Sequence, residues 1–222
     1  MTTLFDFSSE HPDGAPQVPT VETPAAGLSL HRRFLDLDRQ MELLEALRTV
    51  TRSAPFFVPR MRSGTPYRIE MTNAGRLGWV SDERGYRYQE KHPITGLPWP
   101  EIPKVLLQLS ADVAGQAFRP DCCLVNLYRG PQARLGLHQD RDERTFDAPI
   151  ISISLGDDCE FQFGGVERSA KVTSHRLRSG DVAVFGGQAR LAWHGVTKVY
   201  PNTSSLLRGG GRLNITIRQV DP

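Results

Sequence analysis

The sequence predicts an α+β protein, a double-stranded β-helix (jelly roll) of about eight strands supported by two helices in its N-terminal half. Beyond residue 120, short runs of strand-like pattern alternate with Gly, Asp and Pro turns. Two earlier stretches carry apolar residues at helical spacing. With 20 Gly and 16 Pro among 222 residues, 39% of them hydrophobic and 23% charged, the composition suits a turn-rich domain able to bury a core.

Residues 1–27 are rich in Pro, Gly, Thr and Ser and read as a flexible N-terminal segment with Leu4, Phe5 and Phe7 as its anchors. Residues 28–222 then form one domain. Asp36 or Asp38 caps a helix running to about Val50, with Leu37, Met41, Leu44 and Leu47 on one face. Residues 55–100 are irregular and rich in Arg, Gly and aromatics, the mark of short strands in a surface subdomain. Pro100 and Pro103 introduce a second helix that buries Ile102, Val105, Leu106, Leu109 and Val113 and stops near Gly115. The jelly-roll core, 120–220, is read as Cys122–Tyr128, Leu135–Asp140, Pro149–Leu155, Glu160–Phe163, Ser174–Arg178, Asp181–Phe185, Leu191–Val199 and Arg212–Val220. Ser179-Gly180-Asp181 is expected to close a tight hairpin.

A formal charge of +2 argues against a generic polyanion binder. The 23 Arg against 4 Lys fit either recognition of phosphates and carboxylates or a genomic codon bias. Cys122, Cys123 and Cys159 make neither a disulfide framework nor a zinc-ribbon spacing, which suits a reducing cytoplasm. Met1 to Glu10 has no secretory pattern and nothing later resembles a membrane span, so a cytoplasmic monomer is expected.

His138-Gln139-Asp140 places an imidazole and a carboxylate two residues apart, on one side of an extended strand. With His194, in Trp193-His194-Gly195, they make the two-His, one-carboxylate set that holds non-haem Fe(II) on one face and leaves positions open. The pattern alone is weak, because His11-Pro12-Asp13 has the same spacing and a surface His beside a turn Asp fits equally well. The last strand adds chemistry. Alternation puts Arg212, Asn214, Thr216 and Arg218 on one face and Leu213, Ile215 and Ile217 on the other. On an edge strand the polar face would be solvated; facing a cavity, its two guanidinium forks could clamp a dicarboxylate. Asn126 and Tyr128 repeat the pattern on Cys122–Tyr128. A dicarboxylate beside such an iron implies 2-oxoglutarate.

Several ordered blocks carry a family resemblance. They are Met71-Thr72-Asn73-Ala74-Gly75-Arg76-Leu77-Gly78-Trp79, Asn126-Leu127-Tyr128, His138-Gln139-Asp140-Arg141-Asp142-Glu143, Phe161-Gln162-Phe163-Gly164-Gly165, Trp193-His194-Gly195 and Arg212-Leu213-Asn214-Ile215-Thr216-Ile217-Arg218. Over roughly residues 28–220 the chain resembles the AlkB-type Fe(II)/2-oxoglutarate-dependent dioxygenases that reverse alkylation damage in nucleic acids, the bacterial branch most of all. The resemblance implies His138, Asp140 and His194 as iron ligands. It gives Arg212, Tyr128 and Asn214 the far carboxylate of 2-oxoglutarate, and Arg218 and Asn126 the end nearer the metal. It implies oxidative demethylation of N1-methyladenine and N3-methylcytosine with dioxygen, releasing formaldehyde, succinate and carbon dioxide.

Methylation at a ring nitrogen leaves such a base cationic, suited to a cation–π contact with Trp79 and to the carboxylate of Asp142. By resemblance the base lies between Trp79 and His138, lined by Met71, with Asp142 reading its amine. Tyr86 shares the irregular subdomain with Trp79, and Arg168 follows Gly164-Gly165, where relatives carry a substrate-side Arg. The base must leave its stack, so single-stranded or damaged DNA, or RNA, is the expected partner. Ser63–Glu70 departs from the family pattern, and nothing is carried over to Tyr67. Two other readings stay open: the same iron chemistry on RNA or a protein side chain, and a non-catalytic jelly-roll module that binds without turnover.

Overall fold

Antiparallel pairing dominates the computed structural model, which describes residues 18–222. The anchors Leu4, Phe5 and Phe7 and the His11-Pro12-Asp13 motif lie outside the described residues. In chain order the elements are β1 (Thr20–Ala25), β2 (Leu28–Arg32), α1 (Leu37–Ser53), β3 (Glu70–Gly75), β4 (Gly78–Asp82), β5 (Gly85–Gln89) and α2 (Lys104–Ala114). The second half contributes β6 (Cys122–Tyr128), β7 (Leu135–His138), β8 (Ile150–Gly156), β9 (Cys159–Phe163), β10 (Thr173–Leu177), β11 (Val182–Phe185), β12 (His194–Val199) and β13 (Arg212–Arg218). The eight jelly-roll strands are thus β6 to β13.

They divide between two sheets. The major sheet runs β1-β2-β11-β8-β13-β6-β3 and the minor sheet β10-β9-β12-β7, with β4-β5 as a separate hairpin. Between the sheets lies an apolar cluster that includes Leu28, Leu30, Leu124, Phe161, Phe163 and Phe185. The outer face of the major sheet packs Cys123, Val125, Leu127, Ile153, Leu213, Ile215 and Ile217 against Leu43, Leu44 and Leu47 of α1 and Leu106 and Leu109 of α2. Asp36 caps α1 by accepting a hydrogen bond from the Arg39 amide at 2.9 Å, and α2 begins after Pro103. No helix among the described residues is long and apolar enough to cross a membrane.

Several expected boundaries move. Strand β1 falls inside the segment expected to be flexible. All six of its residues are exposed, so its sequence lacks the apolar alternation that would reveal it. Strand β3 joins the major sheet beside β6 rather than a surface subdomain, with Met71 to Ala74 buried. Ser179-Gly180-Asp181 makes no hairpin, because β10 pairs with β9 and β11 with β8 and β2. The turn carries the chain from the minor to the major sheet. Gly180, at φ +86°, lies so close to the Leu35 carbonyl that a Cβ would stand 2.5 Å from it. The strand expected at Leu135–Asp140 stops at His138, and that expected at Leu191–Val199 starts at His194, after a 3-10 turn at Gly187–Ala189. Strand β13, near the C-terminus in sequence, lies inside the sheet between β8 and β6.

Candidate active site

The ends of β7 and β12 bring the predicted triad together. His194 pairs in register with His138, and their rings lie 4.5 Å apart between centroids. A Cβ at Gly195 would stand 2.7 Å from the Leu135 and Gly136 carbonyls, so glycine is what lets the strands approach here. Gln139, just past β7, donates to the Leu191 carbonyl at 2.6 Å and fixes this end of the strand to the segment entering β12. Asp140 lies beyond the strand, so its direction is set by tertiary contacts rather than by strand alternation. Arg190 donates to its backbone carbonyl at 2.8 Å, and Arg218 Nη2 to its Oδ2 at 2.6 Å.

His138 Nε2 lies 3.6 Å from Asp140 Oδ1, and His194 Nε2 lies 3.7 Å from Asp140 Oδ2. One ligand atom from each residue fits within 4.8 Å of the others. Both imidazoles are oriented through the opposite nitrogen: Nδ1 of His138 bonds the Gly136 carbonyl at 2.9 Å and Nδ1 of His194 the Ala192 carbonyl at 3.0 Å. A carbonyl only accepts, so each Nδ1 carries a proton and each Nε2 is the atom turned towards Asp140. Burial, reinforced by His138, pushes the His194 pKa down to about 4 even against the attraction of Asp140. Burial opposes ionisation of Asp140, but Arg218, His194, His138 and Arg190 outweigh it and hold its carboxyl well below the usual range. Two imidazoles and one carboxylate therefore face a common point.

A cavity of about 310 Å³ opens from this point between the sheets. Its floor is the inner face of three adjacent strands. Arg212, Asn214, Thr216 and Arg218 come from β13, Asn126 and Tyr128 from β6, and Ser152 from β8. Arg212 is 1% exposed and bonds Ser154 Oγ at 3.0 Å, yet among the described residues its Nε and Nη1 have no hydrogen-bond partner, and neither has Asn126 Oδ1. Its guanidinium lies 5.2 Å from the Tyr128 ring. A buried cation with unused donors at the floor of a cavity fits an anionic ligand. Arg218 differs, being engaged with Asp140 and, through Nη1, with Tyr88 at 3.2 Å.

Across the mouth stands an aromatic wall. Trp79 stacks on Tyr86 at 5.7 Å and 23°, and Tyr67 meets Trp79 edge-on at 6.4 Å. Asp142 Oδ2 accepts from Trp79 Nε1 at 2.9 Å, and Met71 completes the lining. Of the predicted site residues, Asp140 and Arg168 are not on the cavity wall; Asp140 stands behind it between the two imidazoles and Arg218, and Arg168 lies 4.2 Å over the Trp193 ring.

A family model described as the 2OG-Fe(II) oxygenase superfamily matches residues 27–218. An alpha-ketoglutarate-dependent dioxygenase AlkB homolog of Caulobacter vibrioides is 48% identical over 89% of this chain and 90% of its own. The alpha-ketoglutarate-dependent dioxygenase AlkB of Escherichia coli is 39% identical over 91% and 94%. This chain belongs to the AlkB family. The solved structure of OsALKBH1 superposes with a TM-score of 0.79 at 31% identity, covering 90% of this chain and all of that one.

As an AlkB-type dioxygenase the protein uses Fe(II) and 2-oxoglutarate, and its residues fit both: the Nε2 and carboxylate atoms converge for a metal, and Arg212 has donors to spare for a carboxylate. Sequence reasoning missed other residues in and behind this AlkB site. Tyr67 lies where the family pattern breaks down. Ser152 and Ser154 sit in an apolar run, and their strand neighbours Asn214 and Thr216 were the available signal. Glu143, Tyr88 and Arg190 are brought behind Asp140 only by the tertiary fold, although Glu143 stood in the quoted motif. Cys122, Cys123 and Cys159 are free and buried, outside the cavity.

Proposed function

We propose that this AlkB-family enzyme removes N-methyl groups from nucleic-acid bases by Fe(II)- and 2-oxoglutarate-dependent oxidation, acting on N1-methyladenine and N3-methylcytosine in single-stranded DNA as alkylation repair. One observation carries the reading: a cavity that has a metal-ready triad and a buried, under-used arginine at its floor and an indole paired with a carboxylate at its mouth. Relatives named as a DNA N(6)-methyladenine demethylase and a tRNA demethylase support nucleic acid as the substrate class.

His138, Asp140 and His194 hold the iron, with the proton on each Nδ1 keeping both Nε2 atoms available. Arg212 takes the far carboxylate of 2-oxoglutarate through its unused Nε and Nη1, with Tyr128 and Asn214 beside it. Asn126 and Arg218 serve the end nearer the metal. Bound iron with 2-oxoglutarate supplies the activation of dioxygen: one oxygen atom enters succinate as carbon dioxide leaves, and the other oxidises the N-methyl carbon, which departs as formaldehyde. Trp79 offers the indole face that Tyr86 leaves uncovered to the cationic ring, and Met71 closes the side. Asp142, fixed by Trp79 Nε1, turns its other oxygen to the exocyclic amine. Arg168, held over the Trp193 ring, is assigned to the substrate strand. The wall admits a base only outside its stack, which costs least in single strands or at damaged pairs. The three buried thiols suit a monomer in a reducing cytoplasm.

The test is mass spectrometry of single-stranded oligonucleotides bearing each lesion, incubated with the protein, Fe(II) and dioxygen, with and without 2-oxoglutarate. A loss of 14 mass units (about one CH2) that requires 2-oxoglutarate and yields formaldehyde is expected; unchanged lesions would sink the reading. Turnover on methylated RNA or a peptide, with DNA untouched, would redirect it to another substrate.

A further inference from the structure

A run of buried polar contacts leads from Asp140 away from the cavity and into the β4–β5 hairpin. Arg218 Nη2 bonds Asp140 Oδ2 at 2.6 Å, and Arg218 Nη1 donates to the Tyr88 hydroxyl at 3.2 Å. Tyr88 in turn donates to Glu143 Oε1 at 2.9 Å. The Glu143 carboxylate stands 3.5 Å from Arg218 Nε and 3.4 Å from Arg190 Nη2, and Arg190 returns to the Asp140 backbone carbonyl. Tyr88 is not among the residues that line the cavity, and its hydroxyl is turned to Arg218 and Glu143. It belongs to β5, however, two residues from Tyr86 and paired in register with Trp79. One hydroxyl therefore ties the hairpin that carries the aromatic wall to the guanidinium that holds Asp140.

The network also has slack. Among the described residues Arg218 Nε and Glu143 Oε2 are buried without a hydrogen bond, and the Nε–Oε1 pair is stretched to 3.5 Å. Closing that pair takes a shift of well under 1 Å, and buried charge networks favour discrete arrangements because each unmade bond is costly. A hairpin displaced by a seated base would move Tyr88 against Arg218 and bias that choice.

We propose that Tyr88 and Glu143 are positioning residues that couple the seat of the base to the iron centre, so that filling the aromatic wall and filling the metal and 2-oxoglutarate site favour the same placement of Arg218. The inference rests on the site assignments proposed above and goes beyond them in making the two halves of the site interdependent.

The experiment is a binding cycle on the full chain without turnover, using Mn(II) in place of iron. Calorimetry measures the affinity for a single-stranded oligonucleotide bearing N3-methylcytosine, with and without Mn(II) and 2-oxoglutarate, and the reciprocal pair. Wild type should show mutual tightening of about fivefold or more. Tyr88→Phe removes only the hydroxyl, and Glu143→Gln keeps an acceptor for it while removing the charge. Each variant should bring the mutual effect to within about twofold of none, with each ligand alone bound within about threefold of wild type. Either variant suffices if the other does not fold. Full coupling retained in the variants overturns the proposal, as does wild type that binds both ligands independently. Wild type that binds neither ligand would instead overturn the assignment of the site.

Discussion

Asn214 and Ile215 are neighbours on β13, both withdrawn from solvent, and they face opposite requirements. Ile215 points with Leu213 and Ile217 into a cluster filled by the two helices, where burial of apolar surface is the whole contribution. Asn214 points with Arg212 and Arg218 into the cavity, where side chains are buried but donors and an acceptor are left without partners. The outer face satisfies itself. The inner face instead holds buried polar atoms that the described protein residues leave without a partner, a costly arrangement unless something else bonds them. Equal burial along one strand thus hides two different energetic roles.

Substitutions on the two faces should consequently separate stability from binding. The largest effect is expected for Arg212→Met on the inner face. Losing one partner of a buried charge pair costs about 2–5 kcal/mol of binding, so 2-oxoglutarate affinity should fall roughly thirtyfold or more. The unliganded protein should melt no lower, because Met removes an unpaired buried charge at similar volume. Ile215→Ala on the outer face should do the reverse, lowering stability by about 2–5 kcal/mol in denaturant titration while the folded fraction binds 2-oxoglutarate as before. An Arg212→Met protein that is strongly destabilised but binds normally would break the comparison.

This contrast also explains what was legible in the sequence. Alternation on β13 separated Arg212 from Leu213 correctly, because a period of two survives whatever lies on either side. The same alternation could not say whether the polar face met water or a cavity; that depended on β8 and β6 flanking the strand. The triad residues were legible as residue types, but the reason for Asp140's orientation was not, since it lies past the end of β7 and is held by Arg190 and Arg218 from distant segments. Strand β1, exposed on both faces, left no pattern at all, and the turn at Gly180 looked like a hairpin because local turn chemistry does not record which sheet each strand joins.

A smaller effect is expected where the cavity meets solvent. Trp79 is partly exposed and contributes a stacking face rather than a charge. Trp79→Ala should weaken binding of a methylated oligonucleotide by about 1–3 kcal/mol, roughly 5- to 150-fold, and leave 2-oxoglutarate affinity unchanged. Titration of both ligands distinguishes the two, and a parallel loss of 2-oxoglutarate would show that the aromatic wall supports the floor structurally.

The smallest effect expected separates the faces by pH, since the outer cluster is built of side chains that do not titrate between pH 7 and 5.5, whereas the inner one contains His194. Burial and His138 depress its pKa from an ordinary 6.5 to about 4 in the metal-free fold. Below pH 6.5 the unfolded chain therefore takes up a proton at this residue that the folded chain refuses, and stability falls until the pH passes below 4. At pH 5.5 the loss from this one group amounts to about 1 kcal/mol. His31 and His175 are also depressed, chiefly by burial, and add to the slope with the same sign. Thermal melts of the metal-free protein across this range should accordingly drop towards acid, and His194→Gln should flatten part of the drop. A variant slope equal to that of wild type would remove His194 from the account and leave the other two histidines to carry it.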